Sequence, residues 1–124
     1  MQASQPIGVF DSGVGGLSVL RALRAELPQE HFVYFADSGH APYGERDTAQ
    51  VLARARAITT ELLERHDIKA LVIACNTVSA VALDMMRIEL DLPVLGVILP
   101  GARAAVAAWP DWAWSAARVK RRAA

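Results

Sequence analysis

Leu71-Val72-Ile73-Ala74-Cys75-Asn76-Thr77-Val78-Ser79-Ala80 is the stretch on which the reading of the whole chain turns. Its first four residues are apolar and uncharged, as in a parallel strand buried on both faces. The run stops on Cys75, the only cysteine of the 124 residues. Polar Asn76, Thr77 and Ser79 follow, and a helix-like spacing begins behind them. A thiol at the end of a strand and the head of a helix sits where the dipole and free N–H groups favour a thiolate. The alternative is a small buried hydrophobe, the usual setting of a free cysteine.

Upstream, Ile7-Gly8-Val9-Phe10 reads as a short strand closed by Asp11-Ser12-Gly13-Val14-Gly15-Gly16. From Leu17 the spacing turns helical, with Leu17, Leu20, Leu23 and Leu27 on one face and Pro28 as the stop. Phe32-Val33-Tyr34-Phe35-Ala36 reads as a second strand. The segment Asp37-Ser38-Gly39-His40-Ala41-Pro42-Tyr43-Gly44 after it is a loop by composition. Asp47 is a good N-cap for a helix whose stripe is Val51, Ala55, Ile58 and Leu62.

Downstream, a helix is expected over about 79–90, with Val78, Val81, Ala82, Met85 and Ile88 facing inward. Met85 and Met86 read as core filler. Pro93-Val94-Leu95-Gly96-Val97-Ile98 reads as a fourth strand, and Pro100-Gly101 opens a last, Ala-rich helix. Strands alternating with helices predict an α/β fold: three layers, α/β/α, around a parallel sheet of about four strands. Ligands of such sheets bind outside the carboxyl ends of the strands. Polar or glycine-rich loops follow the first three strands, and all converge on that edge. This company favours a functional Cys75 over a structural one.

Composition bounds the rest. With 53% hydrophobic and 21% charged residues, the chain suits a globular domain rather than bulk disorder. No apolar run approaches a membrane span, and residues 1–6 do not resemble a secretory signal. One cysteine allows no internal disulfide, which fits a reducing cytoplasm. The formal net charge of zero conceals an asymmetry: Arg118-Val119-Lys120-Arg121-Arg122 is wholly basic, and Trp109, Trp112 and Trp114 lie close before it. The expected organisation is an α/β domain over 1–108 and an atypical Trp/Arg-rich tail over 109–124, solvated and disordered. Attachment to nucleic acid or a membrane surface is the other reading of that basic end.

The loops narrow the chemistry. Gly13-Val14-Gly15-Gly16-Leu17-Ser18 approaches a dinucleotide fingerprint but has Ser18 at its third glycine position, and no Lys-Ser or Lys-Thr pair makes it a P-loop. It is a tight strand-to-helix turn, or a turn whose N–H groups also hold a carboxylate. Asp11 is solvated, caps the next helix, or stands beside a ligand ammonium. Asn76 and Thr77 are an N-cap pair or binding residues, and Pro42-Tyr43-Gly44 is a turn bearing an aromatic hydroxyl. His31 and His66 read as surface residues, and His40, in the second loop, as a candidate for a site role. No metal-ligand spacing occurs.

Ile7 to Ser18, Ala41-Pro42-Tyr43-Gly44, Ala74-Cys75-Asn76-Thr77, Leu92 to Val97 and Pro100-Gly101, in that order, closely resemble the N-terminal half of the bacterial glutamate racemase family. The resemblance runs over roughly residues 5–107. It implies cofactor-independent interconversion of L- and D-glutamate, supplying D-glutamate for peptidoglycan in the cytoplasm. It implies two cysteines on opposite faces of the substrate α-carbon, with Cys75 as one acid/base and Asp11 assisting it. By the same likeness Asp11, Ser12, Pro42, Tyr43, Gly44, Asn76 and Thr77 bind substrate. No cofactor, metal, nucleic acid or membrane is implied.

The family's partner cysteine lies in a Cys-Thr-His motif of a second domain, which this sequence does not contain. The chain is therefore expected to be truncated or frame-shifted at its tail, to hold half of a site, and to be inactive alone. Its uncovered interdomain face is expected to drive self-association, for instance as a homodimer. The competing readings are a non-catalytic remnant that binds a small carboxylate, and a related aspartate-type racemase.

Overall fold

The two apolar runs upstream of Asp11 and Cys75 become the central strands of one parallel sheet. The computed structural model describes residues 5–13, 16–40 and 47–96. In chain order these form β1 (Ile7–Asp11), α1 (Gly16–Glu26), β2 (Phe32–Ala36), a 3-10 turn (Ser38–His40), α2 (Thr48–His66), β3 (Ala70–Ile73), α3 (Asn76–Glu89) and β4 (Val94–Gly96). The sheet order is β2-β1-β3-β4, and each pairing is parallel. Ile7 stands beside Phe32 on one side and Ala70 on the other, and Phe10 beside Phe35 and Ile73.

Alternation along β1 and β3 divides the core in two. Ile7, Val9, Ala70 and Val72 pack with Val19 and Leu23 of α1. Phe10, Leu71 and Ile73 point the other way, onto Val51, Ala55, Ile58 and Leu62 of α2 and Val78, Ala82 and Met86 of α3. Among the described residues one helix therefore covers one face and two cover the other, the three-layer arrangement that the βα rhythm predicts. The residues of both central strands are buried throughout. That explains their unbroken apolar runs, at roughly 1.5–3 kcal/mol of transfer free energy for each large side chain.

Asp47 caps α2 as expected. Its carboxylate accepts from the Gln50 backbone N–H at 2.8 Å, while the Gln50 side chain accepts from the Asp47 N–H at 3.1 Å. The helix closes on Asp67, whose left-handed φ of 48° ends the turn as its N–H bonds the Leu63 carbonyl. At the amino end of the sheet, buried Lys69 forms an ion pair with Glu30, and its backbone N–H holds the Pro6 carbonyl at 2.8 Å.

Two inward assignments are corrected. Leu17 is 59% exposed, because α1 turns Gly16, Val19 and Leu23 to the sheet, with Leu20 and Leu27 at the margin. Ile88 is 85% exposed. Helix α3 starts at Asn76, earlier than expected, and its inward row is Val78, Ala82 and Met86. Ile88 lies two residues beyond Met86, about 200° around the helix. Val81 and Met85 flank the core as partly buried neighbours. Pro42, Tyr43 and Gly44, the 97–98 end of the fourth strand, the last helix and the boundary near residue 108 lie outside the described residues.

Candidate functional site

Strands β1 and β3 are neighbours, so their carboxyl ends deliver Asp11-Ser12 and Cys75-Asn76-Thr77 to one edge of the sheet. The ladder continues one step past β3, where the Ala74 N–H donates to the Phe10 carbonyl at 2.8 Å. Cys75 follows in extended geometry and is itself the N-cap residue of α3, with no side-chain capping bond. Its carbonyl accepts from the Ser79 N–H at 2.9 Å, which closes the first turn. Asn76 and Thr77 are therefore not a cap pair. They are the first two helical residues, Asn76 exposed and Thr77 half-buried.

The thiol keeps the facing of Leu71 and Ile73, toward the side of α2 and α3, and Cys75 is 7% exposed. Its burial suits the small hydrophobe reading. Its position at a strand end and helix head suits the functional one, since free N–H groups there stabilise negative charge.

Asp11 is fully buried, which removes the solvated option. Its carboxylate accepts from the Gly13 backbone N–H, an Asx turn, and from the Tyr34 hydroxyl at 2.6 Å. Among the described residues its hydrogen bonds go to these two groups and none to Cys75. Ser12 beside it is buried. Gly16 completes the nest: a Cβ there would overlap the Asp11 carboxylate. Gly13 has a φ of +104°, a conformation open to glycine and costly to other residues, and its α-carbon faces Ser38.

Tyr34 is the participant that sequence reading missed. Parity along β2 offered a signal, but its use depends on the register that sets Val9 beside Tyr34. The Tyr34 phenol is pushed well above its ordinary value, by burial first and then by the hydrogen bond to Asp11 and that carboxylate's charge. The folded state thus favours the protonated phenol. Its contribution to stability is complete below the unfolded value of about 10 and is lost as pH rises beyond it. The tyrosinate absorbance absent from Tyr34→Phe is accordingly expected only when alkali unfolds the protein. Ionisation of Tyr34 in the folded chain near pH 10 would contradict this.

After β2, buried Asp37 forms a bidentate ion pair with Arg54 of α2, at 2.9 and 3.0 Å. The pair ties the start of the second loop to the helix behind it. His31 and His66 are exposed, as expected, and His40 closes the 3-10 turn. Among the described residues no group of His, Cys, Asp and Glu is arranged to hold a metal ion. No helix there is long and apolar enough to cross a membrane.

Residues 7–116 match the Asp/Glu/Hydantoin racemase family. The chain is 55% identical over 103 residues to glutamate racemase of Rippkaea orientalis, covering 83% of this chain and 36% of that protein. It resembles the crystal structure of glutamate racemase from Thermus thermophilus in complex with β-chloro-D-alanine. That likeness has a TM-score of 0.76 and 50% identity, over 85% of this chain and 41% of the other. Escherichia coli glutamate racemase, in complex with L-glutamate and the activator UDP-MurNAc-Ala, gives a TM-score of 0.70 and 45% identity. There the cover is 75% of this chain and 35% of the other. The chain thus spans little more than a third of the length of the relative it matches.

Proposed function

The chain belongs to the Asp/Glu/Hydantoin racemase family, and we propose that it supplies one thiol face of a cofactor-independent glutamate racemase. The observation that carries this reading is the placement of the only cysteine at the joint of β3 and α3, next to the Asp11-Ser12 end of β1. The α-proton of an amino acid is weakly acidic. Its removal needs a close base and stabilisation of the charge left behind. In this proposal Cys75, as thiolate, takes the proton from one face of the α-carbon. Asp11 assists by orienting the ammonium side of the substrate, and its two existing donors leave acceptor capacity free on the carboxylate.

Ser12, Asn76 and Thr77 are read as substrate-binding groups at the same edge, and Pro42, Tyr43 and Gly44, outside the described residues, are read as substrate-binding by the family likeness alone. Return of a proton to the opposite face needs a second donor. Cys75 is the only cysteine, so that donor is not a thiol of these 124 residues. A D-glutamate product serving peptidoglycan synthesis in the cytoplasm belongs to the same reading. So does self-association, for which exposed Leu17 at the head of α1 is the supporting observation.

Alkylation tests the site directly, because one cysteine gives one product. Iodoacetamide labelling of Cys75 is expected to slow several-fold in saturating D- or L-glutamate and to be indifferent to L-lysine. Equal rates with and without glutamate would remove Cys75 from the binding site.

A further inference from the structure

We propose that Ser79 is a positioning residue for Cys75, its hydroxyl turning onto the sulfur and holding it as thiolate. The inference rests on reading Cys75 as the base. The Ser79 hydroxyl is sealed from solvent and, among the described residues, has no hydrogen-bond partner. Burying a hydroxyl in this way is unfavourable, and an alanine would avoid the cost. Such a group has to be accounted for. A helical serine ordinarily spends its proton on the carbonyl four residues back, here that of Cys75. That carbonyl takes the Ser79 backbone N–H at 2.9 Å and not the hydroxyl.

Geometry limits where the proton can go. Helical side chains lean toward the N-terminus, and Ser79 closes the first turn of α3 on the Cys75 carbonyl. Ser79 therefore stands over the Cys75 turn. A Cβ built on Gly96 would lie 3.1 Å from Ser79 Oγ, so the hydroxyl sits between α3 and β4. Val94 of β4 and Cys75 belong to the same face of the sheet, and Gly96 shares that parity. The hydroxyl faces β4 within the fold, so its partner is sought inside the protein. The acceptor that the base reading puts on this side is the resting thiolate sulfur, which becomes a thiol on taking the proton. Of the acceptors a hydroxyl can meet, a charged one makes the stronger bond.

The test is the pH dependence of Cys75 alkylation in the unaltered chain, Ser79→Ala and Ser79→Thr. Ser79→Ala is expected to raise the midpoint by about half a unit to one unit, and Ser79→Thr to restore it. Among the described residues, the other ionisable groups on the elements of this edge are Asp11 and Tyr34 from β1 and β2 and the Asp37–Arg54 pair between β2 and α2, with Asp84 farther along α3. None is altered by these substitutions, so a moved midpoint reports the hydroxyl. Thermal stability of Ser79→Ala is expected to hold or rise, because no existing hydrogen bond is lost. An unchanged midpoint in folded Ser79→Ala would overturn the proposal, as would a rate change equal at every pH. Loss of the base reading shows up elsewhere, as absent α-proton exchange beside an intact Ser79 effect on the midpoint.

Discussion

Gly16→Ala is expected to cost about 2–4 kcal/mol of unfolding free energy and to unseat Asp11. The added methyl would occupy the space of the Asp11 carboxylate, which is fully buried and bonded to Gly13 and Tyr34. Either the helix start moves or the carboxylate turns away and leaves its donors. Overpacking costs roughly 1–3 kcal/mol, and a buried group left without its partners a further 1–3. Better helix propensity returns about 1 kcal/mol, which is too little to cancel them. Urea unfolding measures the loss. Tyrosine titration shows the cause, since the Tyr34 phenol should fall back toward its ordinary value once Asp11 leaves it. Unchanged stability together with an unchanged Tyr34 would contradict the packing described for this nest.

Glu30→Gln is expected to destabilise by about 3 kcal/mol, a large share of the total for a domain of this size. Lys69 is 1% exposed and its ammonium meets the Glu30 carboxylate, whose side chain is 20% exposed. The substitution leaves a positive charge in the sheet's amino end without that counter-charge, and breaking a buried pair costs more than the pair contributes. The companion Glu30→Gln, Lys69→Met removes both charges. It is expected to recover most of the loss, because methionine fills the lysine stem's place with no ion to desolvate. Denaturant midpoints of the single and double variants decide the matter. A double variant as unstable as the sum of its parts would contradict the account of a buried pair.

Elements whose signals are local were legible. The run from Leu71 to Ala74 announces a central strand because both of its faces are buried. Asp47 announces an N-cap, and Val51, Ala55, Ile58 and Leu62 recur with the period of one helix face. Helix phase was harder to read. Leu17 and Ile88 carry the same apolar letter as their buried neighbours, and only packing on the sheet turns Val19 and Met86 inward instead. Long-range polar pairs were out of reach. Tyr34 meets Asp11 across 23 residues and Lys69 meets Glu30 across 39, through strand registers that no local pattern encodes. The convergence of Cys75 and Asp11 on one edge was legible for a simpler reason: both end apolar runs, and parallel strands bring such ends together.

The central claim is that Cys75 acts as a base on the α-carbon of glutamate, and proton NMR in heavy water tests it most directly. The folded chain is mixed separately with L- and D-glutamate, beside a Cys75→Ser control. The account predicts that the α-proton signal of one enantiomer decays while the other persists, and that the control slows this exchange at least about a thousandfold. No exchange of either enantiomer in a folded sample, or exchange that survives in Cys75→Ser, would contradict it.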